Sequence, residues 1–169
     1  MTVERTDPPF TAADERTMLD SWLTYHRATL AMKCDGLDHA QLRERAVPPS
    51  TMTLLGLVRH MADVERSWFR RTLAGEDAPP IYFSEQDPDG DFDNVDDADV
   101  DEAFSTWRRE CDAATKNAAA AESLEVTGTH RTGNQVQLRW IMLHMIEEYA
   151  RHNGHADLLR ERIDGVTGE

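Results

Sequence analysis

The sequence predicts an all-α fold, a four-helix bundle, and three observations carry that prediction. Four segments of roughly 20 to 27 residues repeat apolar side chains at helical spacing. None of them shows the alternation of a half-buried strand. Each is bracketed by residues that start and stop helices.

Taken in order, the first helix has its start signal in Thr11, preceded by Pro8 and Pro9 and followed by Glu15, although a capping box would want its acid one position earlier, at Asp14. Leu19, Trp22, Leu23, His26 and Leu30 form its apolar stripe, and the Gly36 region ends it. Asp38 can cap a short turn of helix to Arg45, which Pro48 and Pro49 stop. The second long helix opens near Ser50 or Thr53 and carries Leu54, Leu57, Met61, Val64 and Trp68 on one face up to Gly75. His60 lies ~80° from the centre of that face, so it reaches the interior without belonging to the stripe.

Residues 76 to 96 read as a loop, longer than the ~12–15 residues usual in compact domains, and such loops are functional or disordered. From Glu76 to Glu102 twelve positions are acidic and none is Lys or Arg. Glu85 through Asp96 places carboxylates and Gly90 at most positions of a calcium loop, but begins with Glu, ends with Asp and lacks an entering helix, so a solvated acidic run competes with calcium binding. With few apolar anchors, residues 84 to 93 are expected to be dispensable for folding.

The third helix runs from about Asp97 to Glu122, with Val100, Phe104, Trp107, Cys111, Ala114 and Ala118 on one face. Any apolar remainder it exposes could serve a homodimer. Ser123 to Asn134 is a connection, and no strand is expected in it. The fourth helix, Leu138 to Ile163, groups Leu138, Ile141, Met145, Tyr149, Ala156, Leu159 and Ile163 within about a quarter turn, and Gly165 stops it. His152 interrupts that stripe near its centre, and Glu148 lies one turn before it. An ionised carboxylate is rarely buried unless it is paired or holds a metal, so something must face this pair.

Composition narrows the function. The 169 residues, 40% apolar, are enough for one domain with its own core, and 1–169 is read as a single domain. No run approaches the ~20 apolar residues of a membrane span. The segment MTVERTDPPF has neither an apolar h-region nor a cleavage site, which predicts a cytoplasmic protein. Two cysteines, Cys34 and Cys111, are too few for a disulfide framework and are read as reduced and structural. A net charge of -14 repels phosphate backbones and anionic lipid, leaving a small-molecule substrate as the expected partner, with no nucleic acid and no membrane.

The segments LLGLVRHMADVERSWF and LRWIMLHMIEEYARHNGHADLLRERIDG resemble the DinB-like superfamily, in particular its actinobacterial branch akin to mycothiol-dependent maleylpyruvate isomerase. The resemblance covers nearly the whole chain. It implies an up-down-down-up four-helix bundle and a divalent metal held by one His of helix two and an i, i+4 pair on helix four, His-x3-His or Glu-x3-His. The matching residues are His60, Glu148 and His152. Residues i and i+4 stand about 6 Å apart on one helix face, close enough to share an ion. Two His and one carboxylate suit Zn, Ni or Fe(II), with positions left open for water or substrate. Read singly, each residue has a competing role: an inward His hydrogen-bonded in the core, and Glu148 paired with Arg139 or Arg151. His144, His155 and His26 are candidates for side chains that orient the ligands, His26 being more simply a core histidine.

The resemblance implies a metal-dependent enzyme of the S-transferase or isomerase kind, using mycothiol or a similar low-molecular-weight thiol. The isomerase relatives also carry a second domain, for which a chain of this length has no room, so the expectation attaches to the reaction class and not to that isomerisation. Two alternatives stand beside it. One is a non-catalytic metal- or small-molecule-binding bundle, such as a stress-related sensor. The other is a structural bundle in which Glu148 and His152 satisfy each other.

Overall fold

A computed structural model of the protein describes residues 4–168. The protein is 58% helical, with one small two-stranded sheet. Helix α1 is Glu15–Cys34, opened by Asp14, whose side chain accepts from the Thr17 amide at 2.7 Å. One turn of helix, α2 (His39–Leu42), begins in a capping box between Asp38 and Gln41. Helix α3 (Leu54–Glu65) starts where Thr53 Oγ1 accepts from the Gly56 amide at 3.0 Å. The other elements are α4 (Gly90–Asp93), α5 (Val100–Ala120, capped by Asp99), strands β1 (Thr127–Thr129) and β2 (Gln135–Gln137), and α6 (Leu138–Asp164). Gly165, at φ +78°, supplies the left-handed residue that closes α6.

Helix α6 packs along α1, α5 packs along α3, and α3 also reaches α6. The α6 stripe forms the middle of the core: Leu138, Ile141, Met145, Tyr149 and Ala156 are fully buried. Leu23 and Leu30 of α1, Leu54, Leu57 and Met61 of α3, and Trp107 and Ala114 of α5 close around it. Trp22, expected in the α1 stripe, is instead 41% exposed. Of the described residues, the exposed large apolar side chains include Trp140, Leu143 and Leu158 of α6 but none of α5, so the face suggested for a dimer is not there.

Charged groups cross this core. Glu65 is fully buried and takes a bidentate Arg27 guanidinium, both bonds at 2.7 Å. Tyr149 donates to the same carboxylate at 2.8 Å, and Trp107 donates to the Tyr149 oxygen at 2.9 Å. One chain of hydrogen bonds thereby ties α1, α3, α5 and α6 together.

Three features differ from the sequence expectation. Helix two does not remain α-helical to Gly75: beyond Glu65 it continues as a π-helical segment, Arg66–Leu73. The connection after α5 contains the β1–β2 hairpin, with Gly128 opposite Val136. Its strands are three residues long, too short for an alternating pattern to stand out. The acidic loop is anchored as well. Asp63 accepts from the amides of Ile81 and Tyr82 at 2.7 and 2.9 Å, and Arg59 donates to the Asn94 carbonyl. Val95 is buried, and within residues 84 to 93 Asp91 is buried and Phe92 packs against the core, while Ser84 to Asp89 are exposed.

Candidate metal centre

The α3 and α6 faces meet at three polar side chains. His60, Glu148 and His152 each offer a ligand atom, and these atoms all lie within 4.8 Å of one another. His152 is buried, because it stands on the core stripe of α6, and its Nε2 is 3.4 Å from Glu148 Oε2. The rings of His60 and His152 meet edge to face at 4.7 Å. Neither arginine that could have claimed Glu148 does so: Arg139 is bound to Glu15 and Glu125, and Arg151 to Glu147.

The donor set fits a divalent cation. Burial, reinforced by His60 and His155, lowers the pKa of His152 to about 4, so its imidazole is neutral near pH 7, the form that ligates. Nδ1 of His60 lies 2.8 Å from Asp91 Oδ2. For a neutral imidazole a carboxylate acceptor there requires the proton on Nδ1, which leaves the Nε2 lone pair free. Phe92, the next residue, stacks on the same ring at 4.7 Å and fixes its plane. Two imidazole nitrogens and one carboxylate would satisfy three positions of a tetrahedral or octahedral ion.

Two of the neighbouring histidines contact this set and one does not. His144 Nε2 is 3.4 Å from Glu148 Oε1, on the side away from His152, and its ring stacks on Trp140 at 4.8 Å. With Glu147 and Glu148 it forms a second metal-sized group, but Glu147 is exposed and already holds Arg151. His155 Nδ1 lies 3.4 Å from His152 Nδ1. His26 faces Asn153 and the rings of Trp22 and Tyr25, and burial lowers its pKa. The loop carboxylates of the calcium-like segment disperse: Asp91 goes to His60, Asp96 to Arg45 and Asp87 to Asn94.

A cavity of about 480 Å³ opens beside His60, lined by Trp68, Arg71, Phe83, His130 and Arg131 among others. The π-helical segment aims Ser67, Trp68 and Arg71 along the face already marked by His60 and Val64. Gly128 lets the hairpin settle onto that segment: a Cβ there would overlap the Thr72 carbonyl oxygen and lie 2.6 Å from Leu73 Cα. His130 consequently stacks on Trp68 at 5.3 Å. Trp68 was legible only as part of the helix-two apolar face, and Arg71, Phe83, His130 and Arg131 were not legible as a group, because they are brought together by a change of helical pitch and a close backbone approach. Asp91 was one carboxylate among twelve, with no local signal to separate it.

Cys34 and Cys111 stand apart from the centre. Burial pushes the Cys34 thiol up to about 12 and raises that of Cys111 as well, so neither is a nucleophile at neutral pH. Among the described residues, no helix is long and apolar enough to cross a membrane.

No curated protein matches this chain. The family model described as MST, mycothiol-S-transferase, matches residues 18–165, which takes in α1 from Met18, the whole of α3, α5 and the hairpin, and α6 with its cap. The chain therefore belongs to the mycothiol S-transferase family.

Proposed function

We propose that this protein is a metal-dependent thiol S-transferase, built as a single DinB-like up-down-down-up bundle that works in the cytoplasm. Membership of the mycothiol S-transferase family supports a low-molecular-weight thiol as cosubstrate. The observation that carries the reading is the convergence of His60, Glu148 and His152, from two helices, on a volume the size of one ion.

His60 and His152 would supply nitrogen ligands and Glu148 one carboxylate oxygen. Zn, Ni or Fe(II) held there lowers the pKa of a thiol or water, making the anion available near pH 7. The rest is the work of the chain. Asp91 fixes the tautomer of His60, and Phe92 fixes its ring plane. The burial of His152 keeps protons from competing for its lone pair at neutral pH. His144 holds the outer oxygen of Glu148, leaving the inner one toward His152. The cavity beside His60 gives a small electrophile a place within reach of the centre.

Turnover tests this. Protein loaded with zinc, given mycothiol and an electrophile such as a haloarene, is expected to consume the thiol, and chelation should stop the consumption. Bound metal with no thiol consumption across a panel of electrophiles would favour a binding protein or sensor.

A further inference from the structure

We propose that the cavity beside His60 is a carboxylate subsite, in which Arg71, with Arg131 at the rim, holds the carboxylate of a small flat organic acid. This names the substrate class of the transferase reading and rests on that reading for what the acid does there, though its binding can be measured separately.

Arg71 sits on the π-helical segment with its Nη2 donating to Ser67 Oγ at 2.6 Å, while its Nε is buried without a partner. Among the described residues, neither Arg71 nor Arg131 forms a salt bridge, in a chain with 32 acidic and 18 basic side chains. A partly desolvated guanidinium without a counter-ion is costly, and its planar fork matches a carboxylate with two parallel hydrogen bonds.

The remaining walls describe the rest of the ligand. Trp68, Phe83 and His130 offer ring faces and edges for a flat hydrocarbon part. The volume, about 480 Å³, lies in the range of small-ligand sites. The acidic groups on the wall favour one negative charge over two. Asp63 is occupied by the Ile81 and Tyr82 amides, but Glu85 stands exposed at the rim, where it would repel a dianion such as a phosphate ester. An acid seated on Arg71 would extend along the helix face toward His60, three turns back.

Calorimetric titration of the full chain with benzoate and with benzamide, its neutral isostere, tests the subsite in zinc-loaded and chelator-treated protein. Benzoate is expected to bind in both forms, about tenfold tighter than benzamide. Arg71→Gln should remove that preference while leaving the zinc affinity unchanged. If Arg71→Gln melts abnormally, Arg131→Gln on the exposed turn should reduce benzoate affinity at least ~3-fold with normal melting. Equal binding of the two probes, no benzoate binding, or benzoate binding that vanishes with the zinc would overturn the proposal. Protein that takes up no zinc but still prefers benzoate through Arg71 would sink the metal reading and leave the subsite standing.

Discussion

Asp91 Oδ2 lies 2.8 Å from Nδ1 of His60, so a carboxylate from the acidic loop holds a histidine of the candidate centre. The contact gives one residue of the long loop a specific task and leaves most of the run solvated. Replacing Asp91 with Ala should weaken zinc binding by about 10- to 100-fold, the range seen for partners of ligating histidines. Competition against a chromophoric chelator would measure it, and an unchanged affinity would show that His60 needs no such support.

The Glu65–Arg27 pair sets a larger stability effect. Because Glu65 is fully buried, Arg27→Ala leaves its charge uncompensated and should cost about 3–5 kcal/mol in urea unfolding. The hydrogen bond from Tyr149 remains but cannot replace two charge-assisted bonds. A loss below about 1 kcal/mol would mean that Glu65 is neutral or solvated in the folded protein.

Gly128 tests the hairpin. Since a Cβ there would strike the Thr72 and Leu73 backbone, Gly128→Ala should cost about 1–3 kcal/mol and lift His130 from Trp68. Denaturant unfolding gives the first quantity and tryptophan fluorescence reports the second. No change in either would separate the hairpin from the cavity.

Thiol chemistry gives a pH-dependent prediction. Burial raises the Cys34 pKa to about 12, so the thiolate fraction at pH 8 is on the order of 10⁻⁴ and grows about tenfold per pH unit below that pKa. Cys111 is shifted in the same direction by burial and by Glu65. Both should react with a disulfide reagent much more slowly in the folded protein than in urea, and the folded-state rate should rise with pH. A cysteine that reacts at pH 7 as fast as free thiol would reopen a nucleophilic role.

Much of the helical framework was legible because it is written in periodicity. The α6 stripe from Leu138 to Leu159 is buried as its spacing requires, and Asp38, Thr53 and Gly165 stand at helix ends as their chemistry dictates. Glu148 and His152 were legible as polar breaks in that stripe. What escaped was whatever depends on long-range approach. The π-helical turn over Arg66–Leu73 leaves no distinct period in a short window, and Gly128 gains its meaning only from Thr72 across the gap. Trp22 was misplaced because a stripe predicts a direction, while burial also needs a neighbour to cover it.

The most direct test of the account is the metal content of protein purified without chelator or metal-binding tag, for the wild type, His152→Ala and His144→Ala. The wild type is expected to carry about one Zn, Ni or Fe per chain, and His152→Ala none, because the remaining two ligands are too few. His144→Ala should keep most of the metal, since His144 contacts Glu148 from the far side. Added metal at ~100 times its Kd should stabilise the wild type by about 2.7 kcal/mol and leave His152→Ala unmoved. A metal-free wild type whose melting ignores all three ions would contradict the assignment of His60, Glu148 and His152, as would a His144→Ala variant as empty as His152→Ala.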